Sequence, residues 1–523
     1  MTTPSLPVRQ LVSATPVWLP AIALAVLASL VVPQGADWPA QLFRVELFRQ
    51  EGFEAWNGQW YSGHPTAGYS VLFPPLGAVL GITAVGIGSV LAATVCFHKL
   101  ARGFSAPHAR IASLVLGLAL VPNLIVGRIT FGLGLAIGLA ALLAIQRRRW
   151  YLGGVLALAT PLASPVAAVF LAIATFAWAI SAFTSQDRPL TWRLIGISGL
   201  TLAPIATIAL VFPSQGSFDF PTTWFLIVLA ASGILYFFAR EVGLRALMIG
   251  VLVYATATAL VYLIPNPLGG NIWRLAMFFA VPVGLLTLPK RFHRLAGVLA
   301  VIGLVWAWAP AVESVAQVRG DPSTAREFHE PLIQQIATSP GPPGRIEIPF
   351  TQNHWEAFYV AAELPIARGW ERQADRELNA LLYEETLTPG DYRAWLDLNA
   401  VRWVALPRVG LDPGARTEAE LIERQPSWLV PAWSNENWRL FEVANATPLA
   451  SAPASEVSYE PTKVGFTMPR RGAVRVHVRH SRHWSLTAGL GCVAKSSDDM
   501  LLVIVREPGR IELQQGFYPS SGC

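Results

Sequence analysis

Asp37 is the first residue whose position calls for a chemical reason. It follows an apolar stretch (17–33) almost at once, and so falls at a membrane interface, where a carboxylate is partly desolvated and costly unless it is used. Pro39 suits the first turn of a helix that Asp37 or a neighbour can cap, which is the plain alternative to a functional role. Leu42, Phe43, Val45, Leu47 and Phe48 then alternate with Arg44, Glu46 and Arg49, a pattern that predicts an amphipathic helix on the bilayer surface. The same loop closes with Trp56-Asn-Gly-Gln-Trp-Tyr-Ser-Gly-His-Pro65 and Tyr69-Ser-Val-Leu-Phe-Pro-Pro75. Trp60, Tyr61 and His64 are its candidate ligand contacts, although a loop histidine more often serves only to hydrogen-bond the loop.

Two arginines stand in otherwise apolar surroundings. Arg128 lies in the break of the segment 111–145, and Arg274 ends the loop Pro265-Asn-Pro-Leu-Gly-Gly-Asn-Ile-Trp-Arg274, three residues after Asn271. Each is a candidate anion ligand, and each is equally explained as an interfacial arginine reaching for lipid headgroups. Further along, Asn353-His-Trp-Glu356 and Ala367-Arg-Gly-Trp-Glu-Arg372 gather His354, Trp355, Glu356, Arg368 and Trp370. Aromatic faces and carboxylates are what carbohydrates use, but ordinary core and surface account for such a cluster as well. There is no phosphate-cradling glycine loop with its lysine, no paired Cys or His spacing for zinc, no Gly-x-Ser-x-Gly elbow and no Asp-x-Asp pair.

The elements that must position these residues are read from composition. The 523 residues are 53% hydrophobic and only 14% charged, against about 25% in ordinary globular chains. Residues 1–311 hold 18 basic and 7 acidic side chains, a net +11, while 312–523 hold 21 and 26, a net −5. The overall +6 is thus the sum of a basic membrane part and a mildly acidic soluble part, and implies no nucleic-acid partner. Spans are expected near 17–33, 75–97, 194–212, 222–239, 246–264, 275–289 and 295–311. Two longer segments, 111–145 and 151–180, are broken at Pro122-Asn123 with Arg128 and at Pro161 through Pro165, and each forms two short crossings or a re-entrant pair.

Fourteen of the 18 basic residues fall on alternate loops, which marks those loops as cytoplasmic. The expectation is a multi-pass protein of the plasma (inner) membrane with about eleven membrane segments, its N-terminus cytoplasmic and its C-terminal part extracytoplasmic. A cleaved signal peptide in place of the first span is the alternative, and its flanks fit poorly. The exported part divides into an α/β region (312–448), with strand-like runs at 345–350, 401–406 and 438–443, and a small β-sandwich (449–523) of short alternating strands. The expected class is therefore a polytopic α-helical membrane domain (1–311) followed by an extracytoplasmic α/β domain and a β-sandwich. Cys492 and Cys523 both fall in the exported part, where a bridge would tie down the C-terminal tail; two unrelated thiols are the alternative.

An Asp just after the first span, a juxtamembrane helix, the Trp56 to Pro65 stretch and Phe73-Pro-Pro-Leu76 opening the second span together resemble the GT-C superfamily of polyprenyl-phosphate-sugar-dependent glycosyltransferases, especially its bacterial integral-membrane members. Trp395 to Pro407, followed by Asn437 to Val443, is similar to the extracytoplasmic domain that ends many of them. The resemblance implies a lipid-linked sugar donor, a cell-envelope glycan or protein acceptor, and surrounding membrane lipids as partners. It implies Asp37 as the general base of an inverting transfer, and Arg274 and Arg128 as ligands of the leaving phosphate. The acid pair frequent in the first loop of that family is missing, since Asp37 has no adjacent acid. A divalent cation is left open as a cofactor, with none indicated by a motif.

A membrane transporter or flippase for a lipid-linked or envelope component is the main rival. All seven acids of 1–311 fall at loops or span ends and no internal repeat is visible, which argues against ion coupling but not against a flippase. A non-catalytic envelope scaffold is the third reading.

Overall fold

The computed structural model describes residues 15–54, 56–57, 64–65 (backbone), 69–104, 106–211, 216–516, 520 and 522–523. The chain divides into two compact units: 1–35 with 69–211 and 217–316, and 36–68 with 212–216 and 317–523. The protein is a polytopic helical membrane protein with a C-terminal region built on β-sheets. The division departs from a cut at 311 in one respect that matters for function. The first loop, with Asp37, groups with 317–523.

In the membrane-spanning unit, nine helices among the described residues are long and apolar enough to cross a bilayer. In chain order the helices are α1 (Leu19–Val31), then, after α2 (Trp38–Glu51) of the first loop, α3 (Phe73–Leu80), α4 (Ile82–Arg102), α5 (Ala109–Val126), α6 (Ile129–Gln146), α7 (Trp150–Ala163), α8 (Pro165–Thr184), α9 (Arg188–Val211), α10 (Thr222–Glu241), α11 (Arg245–Leu263), α12 (Trp273–Thr287) and α13 (His293–Val318). α1 and α7 are apolar but short, 13 and 14 residues. The two interrupted segments each resolve into a pair of helices. Gly127, at φ +99°, ends α5 in the left-handed conformation that a residue without Cβ adopts most readily. Ser164 caps α8 by accepting the Ala167 N–H, with Pro165 at the first helical position. α6 packs closely on this turn because Gly134 has no side chain: a Cβ there would lie 2.6 Å from that of Ser164 and 2.8 Å from that of Ala167.

In the second unit, after the paired two-residue strands β1 (Trp56–Asn57) and β2 (His64–Pro65), a four-stranded sheet runs in the order β3 (Arg345–Glu347), β4 (Val401–Pro407), β6 (Trp438–Val443), β5 (Leu429–Ser434). β3 and β4 are parallel and the other pairs antiparallel. Side chains alternate along β4. Trp403 and Ala405 enter one hydrophobic core, and Val404 and Leu406 enter a second with Tyr392, Trp395 and Leu396 of the helix Pro389–Leu398. Beyond it, a four-stranded sheet (order Trp484–Ala488, Gly509–Gln515, Lys463–Met468, Ser455–Tyr459) and a three-stranded sheet (order Gly491–Lys495, Met500–Val505, Gly472–Arg479) enclose a separate core around Phe466, Val476, Trp484 and Leu513. Cys492 and Cys523 are joined by a disulfide.

α2 (Trp38–Glu51) is not the surface helix that its alternating sequence predicts. Ala40, Phe43 and Leu47, spaced three and four apart, are buried in the first core with Phe328, Leu332, Ile346, Ala357, Val360 and Trp438. The apolar stripe that suits a membrane suits a protein core equally, and composition alone does not separate the two. Phe43→Ala is therefore expected to cost about 3–5 kcal/mol as a core truncation, read as a clear fall in the thermal midpoint of the purified protein. A helix lying on lipid would give a change within about 0.5 kcal/mol.

Candidate functional site

The base of the second-unit site is the start of α2. Asp37 occupies the N-cap position, half-buried, and its side chain makes no capping hydrogen bond. The cap reading of this carboxylate is thus not what the geometry displays. The core contacts of Ala40 and Phe43 with Ala357 and Val360 bring this helix against the turn 351–359.

That turn is held from within. Glu356 accepts hydrogen bonds from the Thr351 backbone N–H and hydroxyl, and His354 adopts a left-handed backbone at φ +58°. The His354 ring stacks on Trp370 with centroids 4.0 Å apart and planes 12° from parallel. Its Nε2 lies 3.4 Å from Asp412 Oδ2 and its Nδ1 3.9 Å from Glu356 Oε1. Arg372 forms an ion pair with the same Asp412 oxygen. Burial alone would raise the Asp412 carboxyl, but the contacts and charges of His354 and Arg372 outweigh it and hold Asp412 below the usual carboxylate range. Burial lowers His354, with Arg372 adding to it, while Asp412 and, less strongly, the charge of Asp37 act the other way. Glu356 is pushed up to about 7, chiefly by burial.

Beneath this layer is an ionic hub. Arg368 donates through Nε to Glu347 at 2.8 Å, through Nη1 to Asp375 at 3.0 Å and through Nη2 to Glu418 at 2.6 Å. Burial drives Glu347 well above its ordinary value, opposed by Arg368 and reinforced by Glu418 and Asp375. One arginine faces three buried carboxylates, and the repulsion among them adds to the upward push on Glu347.

The membrane-spanning unit holds the second set of residues. Arg128 sits between α5 and α6, its backbone N–H donating to Asn123 O at 2.7 Å, and opens onto a space of about 10 Å³ shared with Ser89 and Asn123. Arg274, in the first turn of α12, lies over the ring of Phe131 at 5.3 Å. Phe131 is one helical turn beyond Arg128, so both cations stand at the same end of α6. Phe131 meets Phe170 edge-on at 5.9 Å. Phe170, Leu135, Ala167, Leu275 and Ala276 line an apolar cavity of about 920 Å³ that continues along α8, α11 and α12 to Leu288, Pro289 and Arg245.

Among the sequence-predicted residues, Asp37, His354, Glu356 and Trp370 are thus associated in one unit, and Arg128 and Arg274 in the other. Asn271 lies half-buried in a single 3-10 turn before α12, a turn pinned by the Tyr254 hydroxyl donating to Ile272 O at 2.9 Å. Trp355 is buried and stacked on Tyr359 at 5.3 Å. Arg368 departs from the role of sugar ligand: its side chain is 1% exposed and each of its three nitrogens is bonded to a carboxylate. Trp60 and Tyr61 lie outside the described residues, as does the side chain of His64, whose backbone pairs with Asn57 in a short antiparallel ladder. Among the described residues, no group of three or more His, Cys, Asp or Glu side chains is arranged to hold a metal ion. Asp412, the partner of Arg372, carries no signal in the sequence because Asp412-Pro-Gly reads as an ordinary turn, which it also is: Asp412 accepts the Gly414 N–H at 2.8 Å.

No protein-family model matches the chain, and no curated protein matches it. Among solved structures, the chain is similar to ArnT from Cupriavidus metallidurans bound to undecaprenyl phosphate, at 12% identity and a TM-score of 0.47, over 82% of this chain and 98% of that one.

The raised Glu356 gives this site a pH signature. Glu356 takes up a proton on folding between its ordinary 4.5 and about 7, so its contribution to stability is full below that window and is lost as pH rises through it. His354, held neutral, works in the opposite sense below pH 6.5. Glu356→Gln should therefore gain thermal midpoint over the wild type progressively from pH 4.5 to 7.5. Parallel pH profiles would show that Glu356 is ionised throughout.

Proposed function

We propose that the protein is a membrane glycosyltransferase that moves a sugar from a polyprenyl-phosphate donor to a cell-envelope glycan or protein, on the extracytoplasmic face of the inner membrane. The observation that carries this reading is the apolar cavity of about 920 Å³, whose lining begins at Leu275 next to Arg274 and at Phe170 next to Phe131, the ring that Arg274 covers, a complement to a long hydrocarbon with an anionic head. The resemblance of the first loop to the GT-C pattern supports the same reading.

In the reaction, Asp37 accepts the proton of the acceptor hydroxyl as that oxygen attacks the anomeric carbon from the face opposite the phosphate. The new C–O bond forms as the bond to phosphate breaks, with inversion, and the electron pair leaves on a phosphate that is already anionic. The leaving group needs little acid assistance. Guanidinium groups stabilise the charge that grows on it, as paired donors do for any developing oxyanion.

With a synthetic polyprenyl-phosphoryl sugar and purified protein in lipid nanodiscs, Asp37→Asn is expected to lose about 10²–10⁴ in kcat with little change in donor binding. Arg274→Ala should lose about a hundredfold in kcat/KM. Transfer that survives Asp37→Asn intact would refute the role given to the carboxylate. Gly250→Phe projects a ring into the cavity, and should reduce retention of polyprenyl phosphate in native mass spectrometry while the thermal midpoint holds. Undiminished retention would remove the cavity from the donor site.

The reach of the cavity, from Leu275 near one helix end to Pro289 at the other, also favours passage of a lipid-linked component. That second reading requires translocation of a labelled polyprenyl-phosphoryl lipid in reconstituted vesicles to persist in Asp37→Asn.

A further inference from the structure

α2 carries two faces. Ala40, Phe43 and Leu47 face the core, whereas Gln41 is displaced by about 40° around the axis and about 6 Å along it from Asp37, with Arg44 close to the same line. Asp37, Gln41 and Arg44 therefore form a stripe separate from the apolar one. Gln41 is 0% exposed, and among the described residues neither its amide nitrogen nor its amide oxygen has a hydrogen-bond partner. Burying a primary amide with both ends unsatisfied is unfavourable, and leucine or methionine would fill the same volume without that cost.

The surroundings show the same deficit. His354 Nδ1 and Trp370 Nε1, belonging to the stacked pair, are buried without hydrogen-bond partners, as is Asn353 Oδ1. The two ends of the stripe are matched to this segment: the charge of Asp37 acts on His354 and that of Arg44 on Glu371, which adjoins Trp370. Gln41 lies between those two pairings. Donors and acceptors left over beside an aromatic pair and a carboxylate are the chemistry of a carbohydrate subsite, since an amide donates to one hydroxyl and accepts from its neighbour.

We propose that the Gln41 amide binds a pair of adjacent hydroxyls on the carbohydrate held at Asp37, and so sets which sugar is accepted. This rests on the glycosyltransferase reading for the identity of the ligand class, but its test does not require turnover.

The intact chain in nanodiscs is titrated with a panel of methyl hexosides and their monodeoxy counterparts, followed by saturation-transfer NMR, beside thermal midpoints of wild type, Gln41→Leu and Gln41→Met. The wild type should bind at least one hexoside and lose about tenfold or more in affinity for one of its deoxy forms. Gln41→Leu should keep or raise the thermal midpoint, because an unsatisfied buried amide has gone, and should bind the hexoside and its deoxy form alike. The inference fails if Gln41→Leu still discriminates, if both Leu and Met variants unfold, which would make the amide structural, or if the wild type binds no hexoside. A parallel transfer assay with a polyprenyl-phosphoryl hexose separates the two claims. Sugar binding sensitive to Gln41 without any transfer would overturn the enzymatic reading and leave the subsite in place.

Discussion

The insertion of one face of α2 into the core beside the four-stranded sheet is the constraint on which the placement of the candidate base depends. Five residues separate Asp37 from the end of α1, and a carboxylate at that point on a free loop would sample the whole interface. Phe43 and Leu47, locked against Phe328, Ile346 and Trp438, convert the loop into part of the soluble fold. The ordering entropy is met by apolar burial far from any chemistry, which is the usual way a reactive group is given a fixed position.

A second fixed point lies under Trp370 and Arg372. Arg368 is held by three carboxylates contributed by β3, the helix Arg372–Leu378 and the helix Arg416–Glu423, so the guanidinium ties three elements that are distant in sequence. Removing one partner from such a buried cluster leaves an uncompensated charge, whereas the intact set is self-consistent. Its effect on function is indirect. It fixes the segment 368–372, and from that segment Trp370 stacks on His354 while Arg372 grips Asp412. The sequence displays these residues as a polar and aromatic cluster without telling a buried structural charge such as Arg368 from an accessible one.

Much of the architecture was legible because lipid imposes strong rules. Length, apolarity and the loops of basic residues make the helices visible, and the breaks at Gly127 and Ser164 fall where proline, glycine and serine chemistry puts them. Alternating strands identified the two sheet regions. What stayed hidden was partnership across sequence distance. The apolar stripe of α2 has no label that says protein rather than lipid, Asp412 sits in a turn that explains itself, and Arg274 meets the Arg128 end of α6 at Phe131, an ordinary apolar residue in the sequence.

The two units solve opposite solvation problems, and this explains where their unusual residues occur. In the membrane-spanning unit an apolar cavity is inexpensive, because hydrocarbon is the surrounding solvent, and the exceptional features are cations. In the second unit apolar burial is the rule and charge is tolerated at the surface, so the exceptional features are buried polar atoms without partners. A chain selected for stability alone would eliminate both kinds. Under the proposed function, the cations of the first unit are suited to an anionic lipid head and the unsatisfied polar atoms of the second to a polyhydroxylated ring.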